Sequence, residues 1–295
     1  MAARSASSPL ISPEELRDRL GAPDLVVADV RWVLGQPGAG RAAYEAAHIP
    51  GAIFLDLDTD LRGPDGPGRH PLPSPATFRE TLATAGIGTR DEVVAYDDVR
   101  GTIAARLWWM LDALGHERVR LLDGGLGAWT AAGFGTTAEV TPARPRADLR
   151  LHSEWPTVMG REELADRLGS VVLLDARAPA RYRGEVEPID PVAGHIPTAR
   201  SAPTDRYTGT DGRLLPPEAL IEVLDSLGAT GADGPVVTSC GSGVTATFAS
   251  LAMRVAGLPD PILYPGSYSD WSSSGMPVAT GPDPGDRPVE LDRSG

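Results

Sequence analysis

Cysteine is nearly absent from this chain of 295 residues: Cys240 is the only one. One thiol excludes an intramolecular disulfide and any multi-cysteine metal site. The five histidines are scattered, with no His-x-x-x-His spacing, so neither a metal centre nor a cofactor is expected. Long apolar runs are also missing. The longest, around Leu107–Leu111, falls far short of the roughly 20 residues that a transmembrane helix needs. Residues 1–9 are rich in Ala and Ser and lack the apolar centre of a secretory signal, so they read as a short disordered lead-in. Basic residues are in deficit, and the formal net charge is −13. That charge argues against nucleic-acid and anionic-membrane partners, which need basic patches. These absences together point to a cytoplasmic protein.

What the chain does contain is itself, twice. Leu25–Arg31, Tyr44 and His48-Ile49-Pro50-Gly51-Ala52 are echoed by Val171–Arg177, Tyr182 and His195-Ile196-Pro197-Thr198-Ala199. Glu92–Asp97 parallels Pro235–Cys240, and Gly124 followed by Trp129 parallels Gly266 followed by Trp271. Landmarks in the same order at a nearly constant offset describe a duplicated domain. With 41% hydrophobic residues each copy has material for a core. In each half short β-branched runs alternate with helix-start signals such as Ser12-Pro13-Glu14-Glu15 and Pro216-Pro217-Glu218. The expected fold class is α/β, each half a mostly parallel sheet flanked by helices. The expected organisation is an N-terminal domain over 10–135, a Pro/Arg-rich linker over 136–156, a C-terminal domain over 157–281 and a flexible tail over 282–295.

The segment that carries chemistry is Val236–Ala246, a strand running into the loop Cys240-Gly241-Ser242-Gly243-Val244-Thr245 and then a helix. Ligands of open parallel sheets sit beyond the carboxyl ends of the strands. Gly241 and Gly243 let successive N–H groups curl toward one point, an anion cradle at a helix start. A thiolate held there is a nucleophile. The bland alternative is that Cys240 is a small buried hydrophobe. The first half places Asp97 where the second has Cys240, so one copy has no nucleophile.

The loop at 240–246, the two His-Ile-Pro segments and the Gly-x-x-x-x-Trp pairs resemble the tandem-domain rhodaneses over about residues 10–280, and most closely the 3-mercaptopyruvate sulfurtransferases among them. The resemblance implies an inactive N-terminal domain and a C-terminal Cys240 that accepts sulfur as a persulfide. It implies that Arg181, in Arg181-Tyr182-Arg183-Gly184, binds the donor carboxylate. It also implies that the cradle of Gly241, Gly243, Val244 and Thr245 steadies charge on sulfur, and that Ser242, His70 and Asp58 relay a proton across a domain interface. The donor is then a small molecule, and the acceptor a thiol, cyanide or a thioredoxin-like protein. Gly241 and Ser242 are neutral where thiosulfate-type relatives tend to be cationic, which favours 3-mercaptopyruvate; thiosulfate:cyanide transfer is the alternative. A second substrate arginine is missing, because Ile189-Asp190 stands where relatives often carry one. Arg183 is either its substitute or a surface charge.

His48 and His195 recur in both halves, including the one without a nucleophile, and so read as structural residues fixing a turn. Asp29 and Asp175 read as holding backbone N–H groups at strand ends, and Trp129 and Trp271 as core anchors. A phosphatase is excluded because the position six residues after Cys240 is Ala246 and not arginine. A passive, persulfide-carrying or partner-binding module is the remaining rival, and it has no need of Ser242, His70 and Asp58.

Overall fold

The computed structural model describes residues 8–64, 66–231 and 234–289. Residues 1–7 of the expected lead-in and 290–295 of the expected tail lie outside the described residues. The chain divides into two compact units. The first comprises residues 1–63, 73–156 and 209–214; the second comprises 64–72, 157–208 and 215–295.

In the first unit the elements run β1 (Leu10–Ile11), α1 (Pro13–Arg19), β2 (Leu25–Asp29), α2 (Ala39–Ala46), β3 (Ile53–Phe54), α3 (Pro75–Thr84), β4 (Glu92–Tyr96), α4 (Ala105–Ala113), β5 (Val119–Leu122) and α5 (Gly125–Ala131). The strands form one parallel sheet in the order β1-β5-β4-β2-β3. Every residue of β2 and β4 is buried, as a parallel sheet covered on both faces requires. The helix starts follow local chemistry. Ser12 caps α1 by accepting from the Glu15 N–H at 3.1 Å, with Pro13 at the first helical position. Ser74 caps α3 in the same way on the Thr77 N–H at 3.0 Å.

In the second unit the elements run α6 (Arg161–Arg167), β6 (Val172–Asp175), α7 (Pro179–Tyr182), β7 (Arg200–Ser201), a 3-10 turn over Thr204–Tyr207, α8 (Pro217–Ser226), β8 (Val236–Ser239), α9 (Ala246–Val255), β9 (Ile262–Leu263) and α10 (Ser267–Ser273). Its parallel sheet has the order β7-β6-β8-β9. An isolated parallel bridge between Val158 and Leu263 stands where the first unit has β1 beside β5.

The duplication extends to single hydrogen bonds. Asp29 accepts from the Arg31 N–H and its guanidinium, and Arg31 also donates to Ala47 O. Asp175, Arg177 and Gly194 O repeat the arrangement. His48 donates Nδ1–H to Tyr44 O and stacks on the Tyr44 ring; His195 does the same with Tyr182. His48 bridges to Thr137 and His195 to Ala279. These side chains therefore build the turn after α2 and its counterpart after α7. Trp129 and Trp271 each fill a core and donate Nε1–H to a carbonyl six residues on, Gly135 O and Pro277 O. Each is worth about 1.5–3 kcal/mol or more from burial alone.

Residues 136–156 are not free chain, which differs from the linker expected there. Ala147 donates to Ala83 O, His152 to Leu114 O, and Asp148 O accepts from Thr89. Trp155 stacks on Trp109 and donates to Pro73 O. The absence of a period hid this, since the stretch binds through arginine heads and one indole and not through a regular apolar face. Part of the expected tail is also held, with Pro284 O accepting from the Thr198 N–H. Among the described residues no helix is long and apolar enough to cross a membrane.

Candidate active site

In the second unit β8 ends at Ser239, and Cys240 is the next residue, at the carboxyl end of a central strand. The loop from Gly241 to Thr245 then turns directly into α9. Gly243 has φ 77°, and a Cβ on it would lie 2.3 Å from Pro265 O, so no other residue fits. That tight turn brings the Gly243 N–H to 3.1 Å from Cys240 Sγ, where the sulfur accepts it. Such a bond strengthens when the acceptor carries charge. The opposite side of the loop is tied to the start of α10: Tyr268 N–H donates to Cys240 O and Ser269 N–H to Gly241 O. The Cys240 N–H donates to Ser267 Oγ at 3.0 Å. Ser267 is held at φ 52°, a left-handed conformation that costs a non-glycine residue energy.

Cys240 is 2% exposed. Its sulfur is not wholly in apolar company, since it takes the Gly243 N–H. Beside it Ser242 Oγ lies 2.8 Å from His70 Nδ1, both side chains being buried. The chain thus brings together two of the predicted residues from 172 positions apart, and the segment that holds His70 folds with the second unit. Asp58 belongs to the first unit, where its Oδ2 accepts from Trp32 Nε1 at 2.8 Å and its N–H donates to Asp56 Oδ1. Val244 is buried within the loop, and Thr245 immediately precedes α9.

Arg181, on α7, is largely buried and lies against the loop. Its Nη1 is the second nearest atom, at 3.3 Å, to where a Gly241 Cβ would stand. Its Nε and Nη2 are held by Glu187, and Nη2 also by Asp190 at 2.9 Å. Burial acts to raise the Glu187 carboxyl, but the Arg181 hydrogen bonds and the N–H groups of Asp190 and Ile189 outweigh it, so Glu187 is held below the usual range. Arg183 pairs with Glu185 at the surface, as a charge that needs no substrate to explain it.

Three residues near the loop carried no role in the sequence reading. Arg69 donates to Asp190, and its Nη2 is the atom nearest a Gly241 Cβ, at 2.8 Å. Asp190 holds both Arg69 and Arg181, and Glu187 holds Arg181. The one signal for Arg69 was its place beside His70. Nothing in the sequence pattern announces that Asp190 meets it.

The equivalent loop of the first unit explains what the cradle does. Asp97 follows β4 as Cys240 follows β8. Its Oδ1 accepts from the Val99 and Gly101 N–H groups at 2.8 and 2.7 Å, and its Oδ2 from Ile103 and Ala104 at 2.8 Å each. Four main-chain donors converge on one fully buried carboxyl group. In the first unit the loop at this place in the fold gathers its amides on the protein's own side chain, the arrangement of a main-chain anion cradle.

The rhodanese-like domain family matches residues 12–132 and 160–274. The chain is 45% identical over 283 residues to a probable 3-mercaptopyruvate sulfurtransferase of Pseudomonas aeruginosa, covering 94% of this chain and 99% of that protein. It is 43% identical over 270 residues to a putative thiosulfate sulfurtransferase, SseB, of Mycobacterium tuberculosis, covering 90% and 94%. The crystal structure of the 3-mercaptopyruvate sulfotransferase SseA from Escherichia coli superimposes with a TM-score of 0.78 at 30% identity, over 89% of this chain and all of that one.

Proposed function

From the premise that this chain belongs to the rhodanese-like family and is a sulfurtransferase, we propose that it takes sulfur from 3-mercaptopyruvate onto Cys240 and hands it to a thiol acceptor, releasing pyruvate. The observation that carries this is a lone thiol receiving an amide N–H at the end of a central strand, with two guanidinium groups beside the same loop. The donor carboxylate pairs with Arg181 through Nη1, the nitrogen turned toward the loop while Glu187 and Asp190 hold Nε and Nη2. The Cys240 thiolate attacks the donor sulfur. A sulfur–sulfur bond forms and the carbon–sulfur bond breaks. The electron pair goes to carbon as the enolate of pyruvate, which takes up a proton. Cys240 is left carrying the outer sulfur with its hydrogen. Ser242 passes the proton with His70, a role that their hydrogen bond supports. The loop amides of Gly241, Gly243, Val244 and Thr245 oppose the negative charge that moves between sulfur atoms. Asp58 enters this relay on the family resemblance alone. A small thiol, cyanide or a thioredoxin-like protein then attacks the outer sulfur and restores the thiolate. The neutral Gly241 and Ser242 beside the nucleophile favour a carboxylate donor over thiosulfate.

Mixing the full chain with 3-mercaptopyruvate tests this directly. Pyruvate should appear, and mass spectrometry should find one added sulfur atom on the peptide that holds Cys240. Thiosulfate turned over as fast as mercaptopyruvate, with cyanide as acceptor, would overturn the donor assignment.

Two substitutions resolve the parts. Ser242→Ala should lower kcat by roughly 100-fold with KM nearly unchanged, the size of a lost proton-transfer group. Arg181→Ala should instead raise KM for mercaptopyruvate by roughly 10- to 100-fold, since a charged hydrogen-bonded pair is worth about 1.5–3 kcal/mol. Steady-state kinetics on the two variants separates them, and an unchanged KM for Arg181→Ala shows that the carboxylate binds elsewhere.

A further inference from the structure

Asp190 stands between two guanidinium groups beside the Cys240 loop, and that position has a consequence. Asp190 is almost wholly buried, with a side chain 2% exposed. Its Oδ1 takes Arg69 and its Oδ2 takes Arg181. Each guanidinium keeps a different nitrogen toward the loop: Arg69 Nη2 and Arg181 Nη1 are the two side-chain atoms nearest the vacant Cβ position of Gly241. One carboxylate therefore aligns two cations on the residue that follows the nucleophile.

The alignment continues away from the loop. Arg181 pairs with Glu187, Glu187 lies 3.5 Å from Arg177, and Arg177 pairs with Asp175 at the end of β6. Arg69, Arg177 and Arg181 are thus matched by Asp175, Glu187 and Asp190. The cluster carries donors but no surplus positive charge. Burial pushes the Asp190 carboxyl up, while Arg69 and Arg181 pull it down and Glu187 adds to the rise. A ligand with one negative charge exploits the donors at small cost. A ligand with two meets the buried carboxylates as well, at separations where a second like charge is strongly disfavoured.

We propose that Asp190 is a positioning and specificity-determining residue, which yokes Arg69 to Arg181 beside Gly241 and offsets their charge so that the site prefers a singly charged carboxylate to a doubly charged oxyanion. This rests on the sulfur-donor reading above and adds to it the origin of the preference. Arg69 supplies a second guanidinium beside Arg181.

The test is binding and not turnover, so that it stands apart from the donor assay. Calorimetric titration of the full-length protein with pyruvate and with sulfate gives an affinity ratio for one charge against two. Wild type should prefer pyruvate. Asp190→Asn, which keeps the shape and loses the charge, should move the ratio toward sulfate by about tenfold or more, and Asp190→Glu should move it less. An unmoved ratio in a folded Asp190→Asn protein overturns the proposal. So does wild type binding sulfate more tightly than pyruvate, a result that needs no variant to fold. Absence of pyruvate release from mercaptopyruvate, with the ratio behaving as stated, would sink the donor reading and leave the yoke standing.

Discussion

Cys240→Ser is expected to lower sulfur transfer by at least about ten-thousand-fold and to leave no sulfur adduct on the chain. The size follows from there being one thiol in the sequence and from what the step asks of it. The nucleophile must carry charge near neutral pH and must leave again when the acceptor attacks. A hydroxyl does neither well. The cradle does not rescue it, because an amide N–H at 3.1 Å from Sγ steadies a charge that is already there. The substitution preserves shape, so the fold should survive: Gly243 keeps its turn and Ser267 still receives the Cys240 amide. Donor-treated wild type and variant are compared by intact mass and by pyruvate release. Sulfur found on the serine variant would place the acceptor atom on another residue and dismantle the assignment.

Asp97→Ala is expected to cost about 3–5 kcal/mol of stability, the largest effect anticipated outside the second unit. Asp97 is fully buried and serves four amide groups. Burial pushes its carboxyl above the usual range, against the pull of those four N–H groups. Removing the carboxylate leaves the donors of Val99, Gly101, Ile103 and Ala104 without their acceptor, each costing about 1–3 kcal/mol before water enters. Asp97→Asn should fall between, since it returns one oxygen and turns an NH2 group toward donors. Urea unfolding followed by tryptophan fluorescence reads both variants. A loss below about 1 kcal/mol for the alanine would mean that the loop does not depend on its internal anion.

Much of this was legible because the fold repeats. Buried runs at Leu25–Asp29, Glu92–Tyr96, Val172–Asp175 and Val236–Ser239 became the central strands of the two sheets. The recurrence of His48 and His195 marked them as turn builders, and their tyrosine partners bear that out. The outer strands β1, β3, β7 and β9 are two residues long, too short for any alternating pattern to show. The loop at Cys240 could be read because glycines at fixed offsets leave a mark in sequence. Asp190 could not. It meets Arg69 from 121 residues away, and a charge pair at that separation leaves no local trace. The same holds for the stretch 136–156, whose attachment to the first unit depends on isolated bonds from Arg144, Ala147 and His152.

The depth of Cys240 has one more consequence. With 2% of that residue open to solvent, a sulfur parked there is screened from bulky oxidants and from chance encounters with large thiols. Under the proposed transfer, discharge is expected to favour slender acceptors, such as cyanide, a small thiol or a cysteine at the tip of a narrow protein loop.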